Sequence, residues 1–236
     1  VQAALSLAAT DALTGPVTIH LCAGDYTFYS AVSITSGDGD TLVRIEGDGT
    51  TATTIQNSTF GSTTDRLFVI PSGSAVDTVF ADMTLRGSRT EGDGGAILVD
   101  SSAVDITVEG AWFEDNGFST CTSGGAVYSE GSIAVDGGTF SGNSAFANGL
   151  SGKGGALAAE DNVVVSDGVF TENKVDVYVL SVLVGGDGGA IAAGGSATLT
   201  SGSLSGNSAF RGGAVFTGGN VTVSGSTFTD NVVNGL

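Results

Sequence analysis

The second half of the chain alternates apolar and polar positions with period two, in short bursts. Ile106/Val108, Ile133/Val135, Val163/Val165, Ala197/Leu199 and Val221/Val223 are apolar pairs in equivalent places. Between and beside them lie mostly small or polar residues, among them Thr107 and Glu109, Asp136, Thr198 and Thr200, and Thr222 and Ser224. Alternation of this kind over four or five residues predicts a strand with one buried face. The bursts sit between two repeated motifs. Gly-Gly-Ala-(Ile/Val/Leu) begins at Gly94, Gly124, Gly154, Gly188 and Gly212, and Phe-x-x-Asn at Phe113, Phe140, Phe170 and Phe228, with Leu204 replacing the aromatic once.

The spacing between the motifs separates a rigid part from a tolerant one. From Gly-Gly to the aromatic the offset is 16 residues in the last four copies and 19 in the first. From Asn to the next Gly-Gly there are 7, 10, 14 and 4 intervening residues. Loops that project from a stacked scaffold vary in this way, because their length does not disturb the stacking. The shortest period, Gly188 to Gly212, is 24 residues, too short for a helix pair. Three short strands joined by glycine turns fit one such coil, and coils stacked at about 4.8 Å form a parallel β-helix in which every strand pairs above and below. Phe113, Phe140, Phe170, Leu204 and Phe228 are then expected to stack inside in one file. Asn116, Asn143, Asn173, Asn207 and Asn231 are expected to form an amide ladder at a turn. The residues before each Gly-Gly (Asp93, Ser123, Lys153, Asp187, Arg211) are expected to align on the surface, with Asp187 between Lys153 and Arg211.

The first 93 residues lack both motifs but read as the same body. Val17–Leu21 is expected as a strand, as are Ala31–Ile34, Leu42–Ile45, Leu67–Ile70 and Val79–Leu85. Residues 1–16 are alanine-rich up to Gly15-Pro16 and suit a short capping helix, which would cover the open edge of the first coil. The β-helix is expected over 17–236. Because the last repeat stops where another Gly-Gly-Ala is due, the array is expected to continue beyond Leu236.

Charge narrows the function classes. Seven Lys and Arg stand against 25 Asp and Glu, a formal charge of −18, with 41% hydrophobic residues and a mean hydropathy of +0.28. That balance excludes a disordered acidic tail and argues against nucleic-acid binding, which needs cations against phosphates. The longest apolar stretch, Val177–Val184, is far short of the roughly 20 residues of a membrane-spanning helix. Cys22 and Cys121 match neither a disulfide framework nor a metal motif and are expected to be unbonded to each other, lying several coils apart.

The alternating Gly-Gly-Ala-Ile and Phe-x-x-Asn motifs resemble the repeats of chlamydial polymorphic outer-membrane proteins and of other bacterial surface β-helices that carry them, over Gly94–Asn231. The opening part, with Ala23-Gly-Asp-Tyr26 and Ile45-Glu-Gly-Asp-Gly49, resembles the first coils of pectin-lyase-like β-helices. The resemblance implies a right-handed single-stranded parallel β-helix and an extracellular, cell-surface passenger domain of an autotransporter, often an adhesin. Its partner would be a protein or glycan on another cell or within a surface assembly.

The alternatives are a polysaccharide-binding or polysaccharide-cleaving enzyme of the pectin-lyase-like kind and, behind it, an ice-binding surface. A polysaccharide lyase needs a cationic base and charge neutralisation of a uronate. Here the cations Arg44, Arg66, Arg86, Arg89, Lys153, Lys174 and Arg211 are scattered, and no catalytic residues are assigned. The lone histidine, His20, is expected to point outward from the first strand. No cofactor or metal is assigned, although Asp38-Gly-Asp40 and Glu46-Gly-Asp48 could hold Ca²⁺ weakly through oxygen ligands. Ice binding would need a regular threonine lattice, and the outward positions Thr107, Ala134, Val164, Thr198 and Thr222 do not write one. The insertion at Lys174–Asp187 is the most apolar corner. It reads either as an extra strand pair on the flank or as a partner-contact patch through Val177, Tyr178, Leu180 and Leu183.

Overall fold

The structure is a computed structural model that describes residues 15–35, 42–57, 66–117, 120–148, 152–179 and 182–234. The expected capping helix over 1–16, the Asp38-Gly-Asp40 turn and Leu180 lie, wholly or nearly so, outside the described residues.

Three long parallel sheets wrap the chain into successive coils. Sheet I has eight strands: Val17–Leu21, Leu42–Gly47, Asp77–Ala81, Ile106–Glu109, Ile133–Asp136, Val163–Ser166, Ala197–Thr200 and Val221–Ser224. Sheet II, also of eight, runs from Gly24–Phe28 and Thr53–Asn57 through Thr84–Arg86, Trp112–Glu114, Thr139–Ser141, Val169–Thr171 and Ser203–Ser205 to Thr227–Thr229. Sheet III has seven, from Val32–Ser33 and Phe68–Ile70 through Ile97–Val99, Val127–Ser129, Leu157–Ala159 and Ile191–Ala193 to Val215–Thr217. Each strand pairs in register with its counterparts one coil away, as in Ile106↔Ile133 and Val108↔Val135. This is a right-handed parallel β-helix, as the motif spacing and resemblance indicated.

The interior is one continuous apolar column from Ile19 to Ala214. Its central file is Phe113, Phe140, Phe170, Leu204 and Phe228, aligned residue on residue. Adjacent rings stack nearly parallel at 4.9 and 4.8 Å, a separation set by the coil rise itself. Phe113 to Leu204 are fully buried, whereas Phe228 is 46% exposed because no described coil covers it. The file also extends backward through Leu85 and Ile55 to Tyr26. Leu85-Arg86-Gly87-Ser88 is therefore a degenerate copy of Phe-x-x-Asn that shares neither of its defining letters. The early coils carry their aromatic bulk elsewhere: Phe68 packs on Phe80 at 4.8 Å and on Phe28 at 5.7 Å.

Two positions in each coil explain the motif chemistry. The first glycine of each Gly-Gly has φ between +60° and +69°, a left-handed conformation that side chains resist. The second admits no side chain at all. A Cβ on Gly155 would overlap the Gly189 carbonyl oxygen of the next coil.

Two expectations are corrected and one irregular spacing is explained. Val79–Leu85 is not one strand, because Asp82 (φ 52°) turns the chain from Asp77–Ala81 in sheet I to Thr84–Arg86 in sheet II. The extra residues in the first Gly-Gly-to-Phe interval form a wider turn after Val99. There Ser101 donates its hydroxyl to the Ser74 carbonyl of the preceding coil, which has the same widened turn. Finally, the corner after Asn143, Asn173, Asn207 and Asn231 is not simply loop. It begins with a fourth parallel ladder, Ser144–Asn148, Lys174–Val179, Ser208–Ala209 and Val232–Val233, which we call sheet IV.

Candidate functional site

The Asn ladder builds the corner from which variation grows. Asn116, Asn143, Asn173 and Asn207 are fully buried, and all three polar groups of each amide are used. The Asn173 side-chain oxygen accepts from the Asn143 backbone N–H at 3.1 Å and from its Nδ2 at 2.9 Å. Asn173 Nδ2 donates to the Phe140 carbonyl at 2.9 Å and to Asn207 Oδ1 at 3.0 Å. Ser88 starts the ladder, donating its hydroxyl to Asn116 Oδ1 at 2.8 Å, and Asn231 ends it. These residues hold backbone and do not face solvent, so their role is structural.

Sheet IV follows directly. Ala145, Ala147, Val175, Val177 and Ala209 form a second, small core beneath it. Lys174–Val179 pairs parallel with Ser144–Asn148 on one edge. On the other edge it meets Ser208 only at Lys174, then turns back on Val182–Gly185 as an antiparallel hairpin, with Tyr178 opposite Leu183. The long insertion is thus an extra strand pair whose outer strand, Val182–Gly185, pairs with no other strand among the described residues. Val177, expected in a partner-contact patch, is fully buried in the small core and does not belong to such a patch. It points inward because the alternation that buries Val175 also buries Val177.

The file before Gly-Gly is real but not evenly exposed. Ser123, Lys153, Asp187 and Arg211 bridge in sequence from coil to coil. Arg211 grips Asp187 with two parallel bonds of 2.7 and 2.8 Å while lying 4.9 Å from the Phe216 ring centroid. The Asp187 side chain is only 11% exposed, so this pair is more than a solvated surface contact. Lys153 does not join it, bonding Glu160 at 3.0 Å instead. Glu160 also accepts from the Tyr128 hydroxyl at 3.4 Å, and burial, then the Glu160 charge, pushes the Tyr128 phenol well above its usual range. Asp93 accepts from the Thr122 hydroxyl at 2.6 Å.

The other cations are also committed. Arg44 reaches over Val79 to bond Glu109 two coils away at 2.6 Å and bonds Glu46 at the same distance. This pairing holds the Glu46 carboxyl below its ordinary value. Arg66 donates to the Asp93 and Glu91 carbonyls, Arg86 to Gln56, and Lys174 lies 3.6 Å from Asp176.

His20 does face outward, as expected. The register His20↔Glu46 brings Asp48 beside Cys22, one residue past the paired strands. Cys22 is exposed and forms no disulfide. His20, Cys22 and Asp48 offer donor atoms that all lie within 4.8 Å of one another. In the sequence, only the carboxylates of Glu46-Gly-Asp48 stand out as candidate ligands here. The available signal was the His-x-Cys spacing, which places both side chains on one face of a strand.

No helix of the described residues is long and apolar enough to cross a membrane. No curated protein and no solved structure matches the chain significantly. A family model described as a right-handed β-helix region matches residues 41–236. With parallel coils running through the same residues, the chain belongs to the right-handed β-helix family.

Proposed function

We propose that this chain is a non-catalytic display module at the cell surface, an adhesin or structural passenger segment of the polymorphic outer-membrane-protein type, whose partner is a protein or glycan outside the cell. The observation that carries this reading is the Lys174–Gly185 hairpin, an outgrowth from the stack that ends in a strand whose outer edge has no partner strand among the described residues. Open strand edges recruit a partner's backbone, and apolar residues at such a site add affinity. The cations support the same reading over polyuronate cleavage. Arg44, Arg66, Arg86, Lys153, Lys174 and Arg211 each have a partner within the chain and are spread along the stack, not gathered around one carboxylate subsite.

The test is a binding screen of the purified chain against immobilised glycans and cultured cells. A Tyr178→Ser/Leu183→Ser variant, which leaves Val175 and Val177 in place, runs alongside it. Binding that the variant loses at unchanged thermal stability is the expected result. Release of unsaturated uronates or new reducing ends from polysaccharide would overturn the proposal in favour of an enzyme.

A further inference from the structure

We propose that His20, Cys22 and Asp48 form a binding site for one borderline-soft divalent cation of the zinc class. Three observations converge on it. The donor atoms are a thiol sulfur, an imidazole nitrogen and a carboxylate oxygen, all within 4.8 Å of one another. Tetrahedral zinc, with bonds of about 2.0–2.3 Å, sets its donors roughly 3.3–3.8 Å apart, so binding would bring the widest pair together and part His20 Nε2 from Asp48 Oδ1, which stand 2.9 Å apart.

The donors are also held in place by their surroundings. Asp48 Oδ2 accepts the Ala23 backbone N–H at 2.7 Å, which leaves Oδ1 turned toward His20 Nε2 at 2.9 Å. His20 Nδ1 lies 3.4 Å from Glu46 Oε1, and Arg44 fixes the other Glu46 oxygen at 2.6 Å. A cation would replace the proton that Nε2 shares with Asp48 Oδ1; the neutral imidazole would then donate Nδ1–H to Glu46 and present its Nε2 lone pair to the ion, the carboxylate–histidine–metal arrangement. The Cys22 backbone is held in turn by the Tyr26 hydroxyl, which donates to its carbonyl at 2.9 Å.

The third observation is the chemistry of the donor set. Thiolate and imidazole select zinc-like ions, whereas Ca²⁺ takes six to eight oxygen ligands, so the weak calcium site considered at Glu46-Gly-Asp48 gives way to a softer one. One thiolate and one carboxylate neutralise a dication. The three ligands come from two adjacent coils, so the ion would cross-link the first described coil to the second, with water at the fourth position on this exposed face.

The experiment uses the chain purified metal-free under reducing conditions. Titration with Zn²⁺ against a chromophoric chelator is expected to show one equivalent bound, undiminished by excess Ca²⁺. Co²⁺ in its place is expected to give a thiolate-to-metal charge-transfer band. Cys22→Ser is expected to abolish that band, His20→Gln to weaken Zn²⁺ binding more than tenfold, and Glu46→Gln to weaken it by about tenfold through lost orientation. Bound Zn²⁺ should slow alkylation of Cys22 in the unaltered chain, a readout that needs no variant to fold. Absence of the band, unchanged Zn²⁺ affinity in Cys22→Ser, displacement by Ca²⁺, or unaltered alkylation would each overturn the proposal. None of these outcomes bears on the binding screen for the hairpin.

Discussion

Buried amides are among the costliest residues to lose in this protein. Removing the Asn173 side chain leaves the Asn143 backbone N–H and one Asn143 Nδ2 hydrogen without their acceptor in the buried ladder, and takes one donor each from the Phe140 carbonyl and Asn207 Oδ1. Asn173→Ala is therefore expected to destabilise by about 3–5 kcal/mol, since each orphaned buried group costs on the order of 1–3 kcal/mol. Equilibrium urea unfolding checks this, and a loss below about 1 kcal/mol would mean that water enters the ladder. The Phe file gives a paired contrast. Phe170→Ala is expected to cost about 3–5 kcal/mol, and half-exposed Phe228→Ala far less. The neighbouring Glu172 predicts the opposite sign. Equivalent positions hold Gly142 and Gly206, all with positive φ, and Glu172 itself sits at 56°. Glu172→Gly is expected to stabilise by up to about 1 kcal/mol as backbone strain is relieved against the added freedom of the unfolded chain.

Corners, not strands, set the tolerances of the elements. Strands of three to five residues carry little specificity alone, whereas the Gly-Gly corner fixes how closely coils approach. Gly155→Ala places a methyl group against the backbone of the next coil, which cannot move without breaking its own ladder. The Asp187–Arg211 pair staples the same corner. With Asp187 mostly covered and bound bidentately, Asp187→Ala is expected to cost about 2 kcal/mol, with weak dependence on salt. Thermal melts at low and high ionic strength test this. A cost that vanishes at high salt would return the pair to an ordinary exposed contact. The hairpin shows why such corners accept insertions. Lys174–Val179 extends a ladder already present, and its return strand occupies the edge left free where Ser208–Ala209 is short.

Acid response belongs to the molecule as a whole, because Arg44, bonded to Glu46 on its own strand, ties that coil to Glu109 two coils away. The Glu46 carboxyl titrates below its ordinary value, chiefly through the hydrogen bond from Arg44. A depressed folded-state value means that its stabilisation is present above the unfolded-state value and is lost as pH falls through the folded one. Melting temperature is therefore expected to fall on the acid side of the ordinary glutamate range. Glu46→Gln should be less stable near neutrality but show a flatter acid limb. Equal pH slopes for both proteins would remove Glu46 from the acid response.

The sequence by itself determined the repeating unit: motif spacing, the inward Phe file, the Asn ladder and the coil architecture are all local patterns repeated in order. Repetition makes them legible, because each coil meets a near copy of itself and sequence alignment becomes spatial alignment. Where repetition fails, only the tertiary structure decided. Leu85 and Ser88 continue the two files without the motif's letters, and Val177 is buried because of a sheet that no period announces. Lys153 and Asp187 are neighbours in their file, yet one bonds within its own coil and the other across coils, a choice made by side-chain reach. The meeting of His20, Cys22 and Asp48 likewise depends on register between two coils whose separation along the chain is set by turns, and no local pattern encodes that register.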